Sequence, residues 1–154
     1  MNVPPASFAI HSPGDAVRLF PSDALSGTNE RMLLVLLDAK GTLLSTEWIA
    51  SGTDEGLTYD TGIVARKIAS TGASWFLLVH NHPGGNPELS ETDAAGVRKV
   101  LLRPPPLLFR FLDFLAVAPP EKPGDPPRFA SFRFGPAGDG LGFVLAPFYS
   151  EGKV

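Results

Sequence analysis

The stretch WFLLVHNHPGGNPELSETDAAGVRKVLLR, residues 75–103, constrains the fold more than any other part of the chain. Its first six residues form a short, nearly unbroken apolar run, which reads as a strand buried on both faces. A sheet containing such a strand needs a covering layer on each side. Pro83, Gly84 and Gly85 then permit a sharp turn. After it, Val97, Val100 and Leu101 recur at helical spacing in a segment that begins at Ser90 and is halted by Pro104, Pro105 and Pro106.

The flanking sequence supplies the rest of the sheet. SPGDAVRLF reads as a short helix capped by Ser12, with Pro13 in its first turn. RMLLVLLDAKGTLLSTEWIASGT has two apolar runs around DAKG, a predicted hairpin of residues 32–38 and 43–50. TGIVARKIASTGAS sets Ile63, Val64 and Ile68 on one helical face and stops at Gly72. LLFRFLDFLAV is a long strand and FASFRF a shorter one. APPEKPGDPP, with five prolines in ten residues, is a loop. The order α-β-β-α-β-α-β-β predicts an α/β domain over residues 13–134, with a mixed β-sheet flanked by helices. Residues 1–12 read as an irregular lead-in. Residues 135–154 form a tail with no period that assigns it.

Composition narrows the chemistry. A 154-residue chain with 44% hydrophobic and 19% charged residues is an ordinary globular one, large enough for a real core. The net charge of −3 argues against a large nucleic-acid footprint, so nucleic-acid binding is expected to be weak or absent. The basic cluster Arg98, Lys99 and Arg103 reads as the solvated face of a helix. With no cysteine, a disulfide framework, a thiol nucleophile and a Cys-ligated metal are all excluded. No segment has the makings of a signal peptide or a membrane span, so a cytoplasmic protein is expected.

Two of the chain's three histidines sit at the end of the apolar strand, at His80 and His82. Residues two apart share a face of a strand, so the imidazoles point the same way. Asp93 falls in the first turn of the following helix, aimed back at the strand end. Two His and one carboxylate are three protein ligands with a fourth tetrahedral position left for water, the pattern of a catalytic zinc site. Ser90 and Asp93 also read as a helix-capping pair that needs no metal. The two roles are compatible.

His80-x-His82-Pro83, Gly85, Ser90 and Asp93 match the motif of the JAMM (also JAB or MPN+) zinc metallopeptidases, and HNHPGGNP resembles their RadC branch most closely. The resemblance extends along the hairpin LLDAKGTLLSTEWIASGT and the closing strands. It implies the three-layer arrangement also seen in cytidine deaminases, and a Zn2+ ion held by His80, His82 and Asp93. It further implies hydrolysis of a peptide or isopeptide bond in a peptide or protein substrate of unknown identity. The family's catalytic glutamate maps onto Glu47, which would move the proton from water to the leaving amine. Ser90 would donate to the developing oxyanion.

The chain departs from the RadC pattern at Gly84, at Leu89 and at Phe114, where a histidine usually follows the aspartate. The helix-hairpin-helix segment often preceding such domains is not found, so a free-standing metal domain is expected. A non-catalytic binding copy of the fold and a DNA-repair role are the rival readings. A base deaminase is excluded by the want of cysteine ligands. The letters HNH do not make a nuclease, whose residues spread over a longer unit. Oligomeric state is not legible.

Overall fold

The computed structural model describes residues 8–25, 29–52, 61–104 and 106–152. Five strands form one mixed sheet in the order β2-β1-β3-β4-β5. They are β1 (Glu30–Leu37), β2 (Leu43–Gly52), β3 (Trp75–Asn81), β4 (Phe111–Ala118) and β5 (Arg128–Ser131). β1 runs antiparallel to both β2 and β3, β3 is parallel to β4, and β4 is antiparallel to β5. The parallel step from β3 to β4 needs a crossover, which α4 (Glu91–Leu102) supplies.

Alternation along the central strands builds two cores. Leu33, Val35, Leu37, Leu77 and Val79 face α1 (Pro13–Val17), α2 (Ser22–Leu25) and the C-terminal residues Ala146 and Tyr149. Leu34, Leu36, Phe76 and Leu78 face α3 (Thr61–Thr71) and Val97, Val100 and Leu101 of α4. The sheet is therefore the middle of three layers, and β3 is buried on both faces as expected. Helix ends follow the sequence too. Ser12 caps α1 with Pro13 next, and Gly72 ends α3 with φ +70°, a conformation costly for any residue with a Cβ.

Three expectations need correction. The strand predicted from Leu107 begins only at Phe111, because Leu108–Arg110 winds into a 3-10 turn. FASFRF does not stay in the sheet. β5 ends at Ser131, where the backbone N–H of Arg133 turns inward to the buried carboxylate of Asp113 (2.9 Å). Short α2 was not anticipated. Among its described residues the tail has no regular element beyond a 3-10 turn, Pro136–Gly138, yet it is packed rather than loose, since Ala146 and Tyr149 are buried.

Candidate metal centre

The site forms where β3 ends and α4 begins. His82 follows the last residue of β3, and its N–H still donates to Val117 O (2.7 Å), so it keeps the strand's direction. His80 and His82 thus present their rings on one face, 4.9 Å apart and nearly perpendicular. The turn at Gly85, with φ +93°, brings the chain back to Ser90, which caps α4. Ser90 Oγ accepts from Asp93 N (3.0 Å) and Asp93 Oδ2 accepts from Ser90 N (3.1 Å), a capping box. The box aims the Asp93 carboxylate at the histidines. Oδ2 lies 3.0 Å from His82 Nε2, and Oδ1 lies 3.5 Å from His80 Nδ1. Capping and the ligand geometry coexist on the same two side chains.

The donor set suits a metal ion. One ligand atom from each of His80, His82 and Asp93 can be chosen so that all lie within 4.8 Å of one another. A tetrahedral ion with bonds near 2.1 Å needs donors about 3.4 Å apart. The strongest indication is His80 itself. It is 2% exposed, and neither ring nitrogen has a hydrogen-bond partner. The cost of burying such a polar ring unpaired is of order 1–3 kcal/mol, and ligation removes it. His82 is arranged as a metal-binding imidazole should be. Its Nδ1 meets Asn86 O at 2.8 Å, a contact that orients the ring, and its Nε2 meets Asp93 Oδ2 at 3.0 Å, the nitrogen that would turn its lone pair to an ion on losing its proton.

Electrostatics set the two histidines apart. Burial pushes the His80 imidazole below its ordinary value, partly countered by Asp93, so it is held neutral with a lone pair to give. For His82, burial works downward, but hydrogen bonds to Asp93 and Asn86 outweigh it and raise the imidazole. For Asp93, burial works upward but is overcome by the His82 and Ser90 hydrogen bonds, which keep the carboxylate ionised.

Glu47 stands elsewhere. It pairs with Leu34 on β1, and Leu34 pairs with Leu78, so two strand spacings, about 10 Å, separate β2 from β3 at this row. Its carboxylate grips Lys67 of α3 at 2.9 Å and 3.1 Å. Besides Asp93, the carboxylate that reaches His80 is that of Glu30, with Oε2 3.5 Å from His80 Nε2 and its side chain 17% exposed. Met32 is paired with His80, so Glu30, two residues earlier on β1, lies on the same face near His82.

Asn81, between the two histidines, points to the opposite face, where it is wholly buried. Its amide donates to Ala24 O (3.1 Å) and Asn29 O (3.0 Å) and accepts from Arg31 N (2.6 Å), gripping the residues on either side of Glu30. Neither Glu30 nor Asn81 is singled out by the sequence reading. The available signal was an amide and a carboxylate in otherwise apolar strands, which must find partners. Phe114 packs beside His80, ring centres 6.1 Å apart, and walls the site with an apolar face.

A three-layer domain with a His-His-Asp group at the end of its central strand, able to hold a metal ion, defines a class, α/β domains of the JAB type. A family model described as the RadC-like JAB domain matches residues 10–122, and the chain belongs to that family. It is 36% identical over 92 residues to a UPF0758 protein of Trichormus variabilis, covering 60% of this chain and 38% of that protein. It is 35% identical over 99 residues to one of Trichodesmium erythraeum, covering 64% and 40%. The chain thus spans about two fifths of the length of these curated relatives.

Proposed function

We propose that the domain is a zinc-dependent hydrolase that cleaves an amide bond in a peptide or protein. The observation that carries this reading is the buried, unpaired His80 imidazole set against His82 and Asp93 at a sheet end. Those three residues would hold the ion. When bound, zinc supplies a Lewis acid that polarises a carbonyl and brings the pKa of water near neutrality.

The chain's own residues do the remainder. Asp93 is held by its capping box, so its direction does not depend on the ligand. Ser90 Oγ accepts the cap bond and keeps its own proton free to donate to an oxyanion. The amide nitrogen leaves poorly unless protonated as the bond breaks, so a proton carrier is needed. The resemblance assigns that task to Glu47. Contact with His80 favours Glu30, while Glu47 is engaged with Lys67. We take Glu30 as the carrier and Glu47 as the brace between β2 and α3.

The reading includes a cytoplasmic setting and at most weak, salt-sensitive nucleic-acid binding, supported by the net charge of −3. Among the described residues no helix is long and apolar enough to cross a membrane. The test is a screen of peptide and isopeptide substrates with the zinc-loaded protein, with and without chelator. Chelator-sensitive cleavage is expected. Zinc-loaded protein that cleaves nothing across a broad library supports the non-catalytic rival.

A further inference from the structure

β5 is the outer strand of the sheet, and a groove of about 1240 Å3 runs beside it. Phe129, Ala130 and Ser131, three consecutive residues, all line it. Side chains of consecutive residues alternate between sheet faces, so what the three share towards the groove is the strand's free edge. The walls come from the two covering layers. The start of α1 stands on one side, and Glu88 and Leu89, just before the α4 cap, stand on the other. Phe129 is 39% exposed there, an apolar surface beside an unpaired edge.

We infer that this groove receives an extended, basic peptide segment, paired to β5 as a sixth strand, and leads it to the metal centre. The inference rests on the hydrolase reading and names its substrate class. Charge selects the occupant. Among the described residues, Asp15, Glu88 and Glu151 line the groove against one base, Arg18. The nearby Arg128 is already spent, since its guanidinium donates to Gly85 O and Pro119 O and lies 3.8 Å from Glu121. Those bonds also join the start of β5 to the turn that carries the metal site. Glu88 and Leu89 complete the connection, because Ser90 follows them directly. Backbone pairing gives affinity without sequence, and the acidic rim gives the preference for Lys or Arg on the added strand.

The test uses the full chain, nitrogen-15 labelled, with two acetylated octapeptides, one alternating Val and Lys and the other Val and Glu. The Val-Lys peptide is expected to shift the amide signals of Phe129, Ala130 and Ser131 and to bind about tenfold more tightly than Val-Glu at low salt. Glu88→Lys with Glu151→Lys, both exposed positions, should reduce that preference about tenfold while leaving the fold intact by circular dichroism. Absence of shifts on β5, or equal affinity for the two peptides, overturns the inference. So does a dimer through β5 that Phe129→Asp dissolves and that shuts the peptide out, because the occupant is then a second copy. Mass spectrometry of the same samples separates the two readings. A peptide bound on β5 but left intact upholds the groove and counts against hydrolysis. Cleavage with no β5 shifts upholds hydrolysis and overturns the groove.

Discussion

His80, Asn81 and His82 are neighbours in the chain with different partners, because a strand sends alternate side chains to opposite faces. The imidazoles reach Asp93, and the amide reaches the backbone around Glu30. The grouping of these three side chains was legible in the sequence because a turn and one cap bring them together within a single stretch. Glu30 was not, because its place depends on how β1 pairs with β3, and fifty residues of chain separate it from His80. Two variants decide the proton carrier. Glu30→Gln is expected to keep zinc and fold while losing roughly 10²-fold or more of the hydrolytic rate. Glu47→Gln should lose only the Lys67 pair, half exposed and worth about 0.2–1 kcal/mol, with the rate nearly unchanged. Kinetics of both on one substrate check this, and the reverse pattern returns the role to Glu47. Asn81→Ala leaves three backbone groups, one buried and two partly buried, without their partner. A loss of about 2–4 kcal/mol is expected in urea denaturation, with a further fall in rate through Glu30 in the protein that remains folded.

α4 is where one element serves two ends. The capping box starts the helix and also aims Asp93, and both uses were readable from Ser90 and its spacing to Asp93. The ends of β4 and β5 were not readable. LLFRFLDFLAV is as apolar before Phe111 as after it, and the four donors that converge on Asp113 accompany the point where β5 leaves the sheet. Ser90→Gly separates the two duties of the cap. Glycine at this position costs only a few tenths of a kcal/mol of stability. Without the hydroxyl donor, the rate should fall by about 10²-fold. Thermal melting together with steady-state rates measures both. A large loss of stability with an unchanged rate makes Ser90 a cap and nothing more.

Across the whole molecule, the two cores on either side of the sheet were foreseeable from alternation in β1 and β3. The packed tail was not, because its hold on the domain, apolar through Ala146 and polar through Tyr149, is long-range. Tyr149 OH donates to the wholly buried Asp113 (2.6 Å), with Ser131 Oγ donating to the same carboxylate (2.7 Å). Burial raises the Asp113 carboxyl to about 6, against the pull of those hydrogen bonds. The folded chain therefore holds a proton that the unfolded chain has released above about pH 4. This contribution to stability is complete below that pH and is lost as pH rises through 6. Other carboxylates titrate nearby, Asp93 with the opposite sign, so the difference between wild type and Asp113→Asn is the quantity to follow. The stability advantage of wild type should shrink between about pH 4 and 6 in urea titrations. A difference that grows over that range contradicts the assignment.

The catalytic expectations presuppose an ion at the end of β3, and the metal content of the chain purified without chelator tests that most directly. Elemental analysis should find about one zinc per chain, and His82→Ala, which removes one of three ligands, should abolish most of it. A folded wild-type protein that carries no metal and takes up none when zinc is added would contradict the account.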